Sequence, residues 1–193
     1  MTIGSLFTIL IGGMLINNII LARFIGMCPF MGVSTKLSSA VGMGIAVIFV
    51  VFGASVMSYL LYYFVLVPLN ITYMRLISFI LLIASFVQFV EMFIKKTSPS
   101  LYKSLGIYLP LITTNCAVLY VAIDNITQKY NLIETMVNSI GVPAGFMLVL
   151  VIFATIRERL SGNDVPKAFQ GNPIAFVVAA IMAIAFGAFA GLV

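Results

Sequence analysis

Two short segments, Gly26-Met27-Cys28-Pro29-Phe30-Met31-Gly32 and Leu111-Ile112-Thr113-Thr114-Asn115-Cys116, contain the only 2 cysteines among 193 residues. Both segments lie in strongly apolar sequence, and each contains residues that interrupt or soften a helix. Pro29 disfavours the α conformation at Cys28 and has no amide hydrogen, while the flanking glycines permit unusual backbone angles or close packing. Non-helical backbone at membrane depth must be buried in protein or line a cavity. We therefore expect two breaks in membrane-embedded helices, each close to one thiol.

The composition is that of a membrane protein. Hydrophobic residues make up 63% of the chain and charged residues only 8%, whereas about a quarter of a soluble domain is charged. The net charge of +5 comes from scattered basic residues between apolar spans, which argues against nucleic-acid binding. The chain has no histidine, so imidazole metal sites and histidine-dependent hydrolysis are excluded for this chain alone. The segment Met1–Ala22 lacks a basic leader and is too long for the apolar part of a cleaved signal, so we expect it to remain as a membrane anchor.

Six apolar segments are long enough to cross a bilayer, which takes about 20 residues. Breaks between them contain turn residues, as in Pro68-Leu69-Asn70 and Lys95-Lys96-Thr97-Ser98-Pro99. The sequence therefore predicts an all-α integral membrane protein with six transmembrane helices, the first and fourth of them interrupted. The predicted spans are Ile3–Ala22, Ser38–Val67, Ile71–Ile94, Tyr102–Ile123, Leu132–Ile156 and Asn172–Val193.

Basic residues are distributed unequally between alternate loops. One side holds 8 of the 10 Lys and Arg residues, and the other side holds Lys129 and Arg75. The positive-inside rule then places both termini outside and the three basic loops in the cytoplasm. The eight are Arg23, Lys36, Lys95, Lys96, Lys103, Arg157, Arg159 and Lys167.

Six spans divide into two units of three that must cross the membrane in opposite directions, as in an inverted repeat. Each half opens with a span that carries asparagine and reaches a cysteine, with Asn18 before Cys28 and Asn115 before Cys116. Each half then continues into a glycine-containing span. We predict a single membrane domain made of a first three-helix repeat over 1–96 and a second, inverted repeat over 97–193.

Neither cysteine is decisive alone, because Cys28 can be a buried, inert thiol beside a helix-ending proline, and the polar residues before Cys116 can serve ordinary hydrogen bonding between helices. As a pair they are too few for a Cys₄ iron–sulfur or zinc site, so a metal centre would need a second chain to supply the other ligands. A disulfide between Cys28 and Cys116 is the other paired option, disfavoured because thiols facing the cytoplasm stay reduced.

Other polar residues have simple structural readings. Glu91 lies four residues before Lys95, the spacing of an ion pair, with an ion-pathway carboxylate as the alternative. Thr113, Thr114 and Asn115 can satisfy freed backbone groups or donate hydrogen bonds to a nearby anion. Remaining charged residues are read as follows: Arg75 snorkels to the outer interface, Arg157-Glu158-Arg159 is a topology anchor or a docking point for a cytoplasmic partner, and Asp124 and Asp164 lie in loops.

Several long motifs closely resemble the A-subunit family of the Rnf electron-transport complex, which is related to the E subunit of the sodium-pumping NADH:quinone reductase. The resemblance covers essentially the whole chain. The matching segments include Asn18–Ser34, Gln88 with Glu91, Thr97–Gly106, Pro110–Leu119, Ile156–Leu160, Asp164–Pro166 and Gly171-Asn172.

The resemblance implies a translocase subunit without a self-contained active site. Complexes of this family couple electron transfer between ferredoxin and NAD⁺ to transport of Na⁺ or H⁺ across a bacterial or archaeal cytoplasmic membrane. The A subunit pairs with a paralogous E subunit of inverted topology, and the B, C, D and G subunits complete the complex. Carried over to this chain, the resemblance makes Cys28 and Cys116 ligands of a [2Fe-2S] cluster shared with the E subunit. Gly26, Pro29, Thr113, Thr114, Asn115 and Glu91 are then candidates for supporting the cluster or an ion path.

Two other classes of protein remain compatible with the residues themselves. One is a secondary transporter or channel with an inverted repeat and no redox cofactor. The other is a structural membrane scaffold with inert cysteines. Iron and acid-labile sulfide in the purified protein distinguish these classes from a redox subunit.

Overall fold

A computed structural model of the chain describes residues 3–16, 18–97, 111–112, 114–162, 166 and 169–188. The described residues are helical, joined by turns and short irregular segments. The first predicted span is discontinuous. It contains α1 (Ile3–Ile11), which runs into a π-helical turn at Gly12–Ile16, and then the short helix α2 (Ile19–Arg23). A further short helix, α3 (Met27–Val33), follows a turn.

The next two helices are long. Helix α4 (Leu37–Leu61) ends in a π-helical turn at Tyr62–Leu66, and a 3₁₀ turn at Thr72–Met74 leads into α5 (Arg75–Thr97). The second half contains α6 (Cys116–Thr127), α7 (Leu132–Leu160) and α8 (Asn172–Gly187). Asn131, the residue before α7, forms a capping box with Glu134. This cap explains why the helix begins at Leu132.

Three described helical stretches are long and apolar enough to cross a membrane: Leu37–Leu66, Thr72–Phe93 and Leu132–Leu160. Two shorter apolar stretches, Leu6–Leu15 and Asn172–Gly187, fall in the first and sixth predicted spans, and a third, Cys116–Thr127, begins in the fourth and continues four residues past its predicted end. The helical, membrane-type architecture predicted from the sequence is confirmed. The count of six spans and the position of the termini stay predictions.

Helices α4 and α7 form the centre of the molecule, and both are lined along one side by fully buried residues. Large side chains at the core include Phe30 from α3, Met43 and Val47 from α4, and Phe146 and Phe153 from α7. Phe30 stacks on Phe153 with ring centroids 4.2 Å apart. The core therefore joins the short helix α3, which carries Cys28, to the long helix α7 of the other half.

The N-terminal segment lies against α7 at very close range. A Cβ atom built on Gly145 would collide with the backbone oxygen of Met14, and one built on Gly13 would lie 2.9 Å from a methyl group of Val142. Only a residue without a side chain allows the backbones to approach this closely. This contact holds the π-helical turn next to the middle of α7.

Candidate functional site

The break in the first span occurs at an asparagine that caps a helix. Asn18 has extended backbone angles, and its side-chain oxygen accepts a hydrogen bond from the Ile20 amide at 3.2 Å. Its side-chain nitrogen donates to the backbone oxygen of Gly145 at 2.9 Å and to that of Met14 at 3.4 Å. Asn18 is buried, so these bonds supply the partners that water cannot. The sequence drew attention to Asn18 but did not predict its contact with α7.

The break before Cys116 repeats this cap. Asn115 has backbone angles of φ −70° and ψ 111°, close to the −62° and 115° of Asn18. Its side-chain oxygen accepts from the Ala117 amide at 3.0 Å. The expected role of Asn115 in satisfying a freed backbone group is confirmed. Its side-chain nitrogen is buried and finds no hydrogen-bond partner among the residues that the structure describes.

Cys116 is therefore the first residue of α6, immediately after the cap. The Thr114 side chain is exposed in the turn before the cap. Thr113, which was expected beside it, lies outside the described residues.

Cys28 lies in a different local structure from the one expected. It is helical, in the first turn of α3, with Pro29 next to it and Gly26 as the residue before the helix. The prediction of non-helical backbone at Cys28 is wrong. The amides of the first helical turn have no partner within the helix, so a proline at this position removes no hydrogen bond. The interruption lies just before α3, where Phe24 and Gly26 both have positive φ, of 54° and 86°.

The two cysteine segments meet through a backbone contact. The Gly26 amide donates a hydrogen bond to the Sγ atom of Cys116, with a donor–acceptor distance of 3.1 Å across 90 residues of sequence. Cys28 follows Gly26 by two residues. Both thiols are free and exposed on this chain, so the disulfide alternative is not formed. Within the described part of the chain, no three metal-binding side chains lie together.

Glycine is required at position 26 for two reasons. A φ of 86° is unfavourable for residues with a side chain, and a Cβ atom there would lie 3.0 Å from Cε2 of Phe146. The same hypothetical Cβ would lie 3.5 Å from the Ala117 Cβ and 3.6 Å from the Asn115 side-chain oxygen. Gly26 is therefore packed against both α6 and α7 at the point where its amide contacts Cys116.

Arg157, expected to be a topology anchor or docking residue, contacts the far end of α3. Its guanidinium donates to the Met31 backbone oxygen and to the Ser34 hydroxyl, each at 2.8 Å. A longer contact of 3.4 Å reaches the Asn172 side chain at the start of α8. No local sequence signal could have indicated this contact, because Arg157 and Met31 are 126 residues apart. Arg157 thus holds the helix that carries Cys28 against the end of α7.

A cavity of about 270 Å³ with both polar and apolar lining residues lies beside the first break and α6. Arg23, which the sequence places directly after the first span, is the last residue of α2 and lies over the Tyr120 ring, with its Cζ 5.1 Å from the ring centroid. Asp124, expected in a loop, is helical and belongs to α6. Its assignment to a loop is wrong because α6 continues to Thr127. The polar residues that line the cavity include Arg23, Tyr120, Asp124, Gln128, Tyr130 and Asn138.

A buried polar network continues from this cavity between α6 and α7. Asn138 donates to the side-chain oxygen of Asn125 at 2.7 Å, and the Asn125 amide donates to the Ser139 hydroxyl at 3.3 Å. Such paired amides satisfy each other where no water is available. Glu91 lies apart on α5, one turn before Lys95, at the spacing of the predicted ion pair. Lys167 and Asp164 lie outside the described residues.

Comparison with known proteins gives a consistent result. A family model described as "Rnf-Nqr subunit, membrane protein" matches residues 6–193. The chain is 55% identical over 188 residues to the A subunit of the Na⁺-translocating ferredoxin:NAD⁺ oxidoreductase complex of Acetobacterium woodii, covering 97% of this chain and 98% of the relative. It is 55% identical over 185 residues to the A subunit of the ion-translocating oxidoreductase complex of Aliivibrio salmonicida, covering 96% of each.

The protein of the same name from Vibrio vulnificus is 54% identical over 185 residues, again covering 96% of each chain. Matches of this length and identity confirm the resemblance that the motifs indicated. The chain belongs to the Rnf-Nqr family of membrane subunits.

Proposed function

We propose that this chain is the A-type membrane subunit of an ion-translocating ferredoxin:NAD⁺ oxidoreductase of the Rnf type. The support for this assignment is that the chain matches relatives with these names over nearly their full length. The chain would work as part of a translocase, and its partners would be a paralogous E subunit together with the B, C, D and G subunits. Its expected location is the cytoplasmic membrane of a bacterium or archaeon, which it crosses six times with both termini outside.

The observation that carries the proposal is the hydrogen bond from the Gly26 amide to Cys116 Sγ. It brings the two cysteine segments together at a surface where both thiols are exposed. Two exposed thiols are half of the Cys₄ donor set of a [2Fe-2S] cluster. Cys28 and Cys116 would therefore hold one side of such a cluster, and the partner subunit would supply the remaining ligands. When bound, the cluster supplies one-electron transfer.

The chain's own residues explain how such a site could be kept in place. The Asn115 cap fixes the start of α6, and Arg157 fixes the end of α3. Both helices also contact α7, α3 through Arg157 and α6 through the bond between Asn138 and Asn125.

Ion transport has a physical basis in the same arrangement. Added negative charge in a medium of low dielectric has a large energy, and a cation or a movement of the broken helices can offset it. We propose that the breaks at Asn18 and Asn115 allow this movement and that Na⁺ or H⁺ is the compensating ion. The name of one relative specifies Na⁺.

The test replaces each cysteine with serine in the intact complex purified from its host membrane. Electron paramagnetic resonance of the reduced complex should show a [2Fe-2S] signal that is lost in both Cys28→Ser and Cys116→Ser. Gly32→Ala is the control, because it changes α3 at a position where an added Cβ would make only an ordinary contact with Leu111, and it leaves both thiols in place. A signal that survives in both cysteine variants would overturn the ligand assignment.

The transporter alternative is favoured by one observation, the cavity next to the first break, whose lining includes Arg23, Asp124 and Asn138. Iron and acid-labile sulfide measured in the purified complex distinguish the two functions. A redox subunit predicts a loss of one cluster's iron and sulfide in the cysteine variants. A transporter without a cofactor predicts no change in either quantity.

A further inference from the structure

The Gly26 amide donates a backbone hydrogen bond to one of the two thiols of this chain, that of Cys116. We propose that Gly26 is a positioning residue that sets the reduction potential of the iron–sulfur centre through this hydrogen bond to Cys116. The inference rests on the proposed function and extends it to a specific control of electron affinity. It concerns a backbone group, so no motif of ligand side chains could indicate it.

The chemistry of the contact follows from charge. A hydrogen bond to a ligating sulfur stabilises negative charge on that sulfur, and one-electron reduction increases this charge. Hydrogen bonds to the sulfurs are among the factors that set the potential of iron–sulfur clusters. The Gly26 contact should therefore favour the reduced form and raise the potential.

The geometry gives the amide little freedom to move. Gly26 has positive φ, its residue position packs against Phe146 and Ala117, and its carbonyl accepts the first hydrogen bond of α3 from Phe30 at 3.3 Å. The residue thus connects the orientation of its amide to the position of α3, and hence of Cys28. A change of backbone angles at Gly26 would alter both the contact with Cys116 and the start of the helix that carries the second thiol.

Alanine at position 26 should weaken the contact. The added Cβ would meet Phe146 Cε2 at 3.0 Å, and the positive φ is strained for alanine. Gly32 is a matched control in the same short helix, because a Cβ there would lie 3.5 Å from Leu111 Cδ1, an ordinary contact distance. Both substitutions add one methyl group, Gly32→Ala within α3 and Gly26→Ala directly before it. Only Gly26→Ala changes the residue whose amide contacts Cys116.

The experiment is a redox titration of the intact complex, followed by electron paramagnetic resonance. Gly26→Ala should shift the midpoint potential of the signal that depends on Cys116 to a more negative value, and Gly32→Ala should leave it unchanged. A Gly26→Ala complex that keeps its signal at the wild-type potential overturns the inference. If the wild-type signal does not depend on Cys116 at all, the proposed function itself fails.

A second measurement tests the contact even if Gly26→Ala assembles poorly. The wild-type complex is labelled with ¹⁵N-glycine, and pulsed paramagnetic resonance records couplings between the reduced centre and nearby nitrogen nuclei. We expect a ¹⁵N coupling in the wild type that persists in Gly32→Ala, with a component that disappears in Gly26→Ala. Absence of any glycine coupling in the wild type would overturn the inference without use of a variant.

Discussion

The two helix breaks begin alike and end differently. Asn18 and Asn115 cap their helices with similar backbone angles, and each accepts from the amide two residues later. Asn18 also uses its side-chain nitrogen to bind α7, whereas the corresponding nitrogen of Asn115 is buried without a partner in the described chain. A cysteine follows Asn115 directly, while Cys28 comes only after a further helix and turn. The same cap therefore serves to dock one break and to present a thiol at the other.

The difference teaches that similarity between the two halves lies in backbone architecture rather than in the placement of ligands. The second half places its thiol at the start of a helix of 12 residues. The first half follows its cap with only 5 helical residues and needs a second turn, at Phe24–Gly26, before its thiol. That second turn supplies the amide that contacts Cys116. The division into two inverted repeats stays a prediction that these paired caps support.

The largest expected effect on stability comes from filling the space in which the N-terminal segment packs against α7. Gly145→Ala places a methyl group against the Met14 backbone and should lower the free energy of unfolding by about 2–3 kcal/mol, as overpacking does. Thermal unfolding of the detergent-solubilised protein, followed by circular dichroism, measures this loss. Gly12→Ala is the control, because a Cβ there meets nothing within 4 Å. Equal stability of the two variants would show that the close approach is not required.

A direct comparison of the caps isolates the two side-chain nitrogens. Serine caps helices about as well as asparagine, so Asn18→Ser keeps the cap but loses the bond to Gly145. We expect a loss of about 1 kcal/mol for Asn18→Ser, the usual net value of one hydrogen bond. Asn115→Ser should cost less or be neutral, because it removes a buried donor for which the described residues provide no partner. The same unfolding measurement applies, and an equal or greater cost at Asn115 would contradict the contrast.

The smallest expected effect concerns Tyr130, in the turn that follows α6. Burial and the negative charges of Asp124 and Glu134 raise the pKa of Tyr130 above its usual value of 10.0. The folded protein then binds the phenolic proton more tightly than the unfolded chain, so this stabilisation is complete below about pH 10 and is lost as the pH rises through the folded pKa. Tyr130→Phe should lose less stability than the wild type as the pH rises past about 10. Parallel stability curves for the two proteins across this range would refute this role.

The residues themselves predicted the membrane character, the helical class and the break near each cysteine, since these follow from hydropathy and from local backbone chemistry. The family followed from long motifs. Two local predictions were wrong: the backbone at Cys28 and the loop at Asp124. In both cases the sequence was interpreted from local backbone preference alone. Contacts with neighbouring residues decided where α3 starts and where α6 ends.

The sequence by itself determined that the chain is an apolar helical protein whose two thiols cannot complete a Cys₄ site alone, because composition and ligand number do not depend on the fold. Only the tertiary structure decided that the Gly26 amide contacts Cys116, that Arg157 binds the end of α3 and that Asn18 docks on Gly145. These contacts join residues 90 to 127 positions apart. No local pattern encodes them, since each depends on which surfaces of α3, α6 and α7 meet when the core closes.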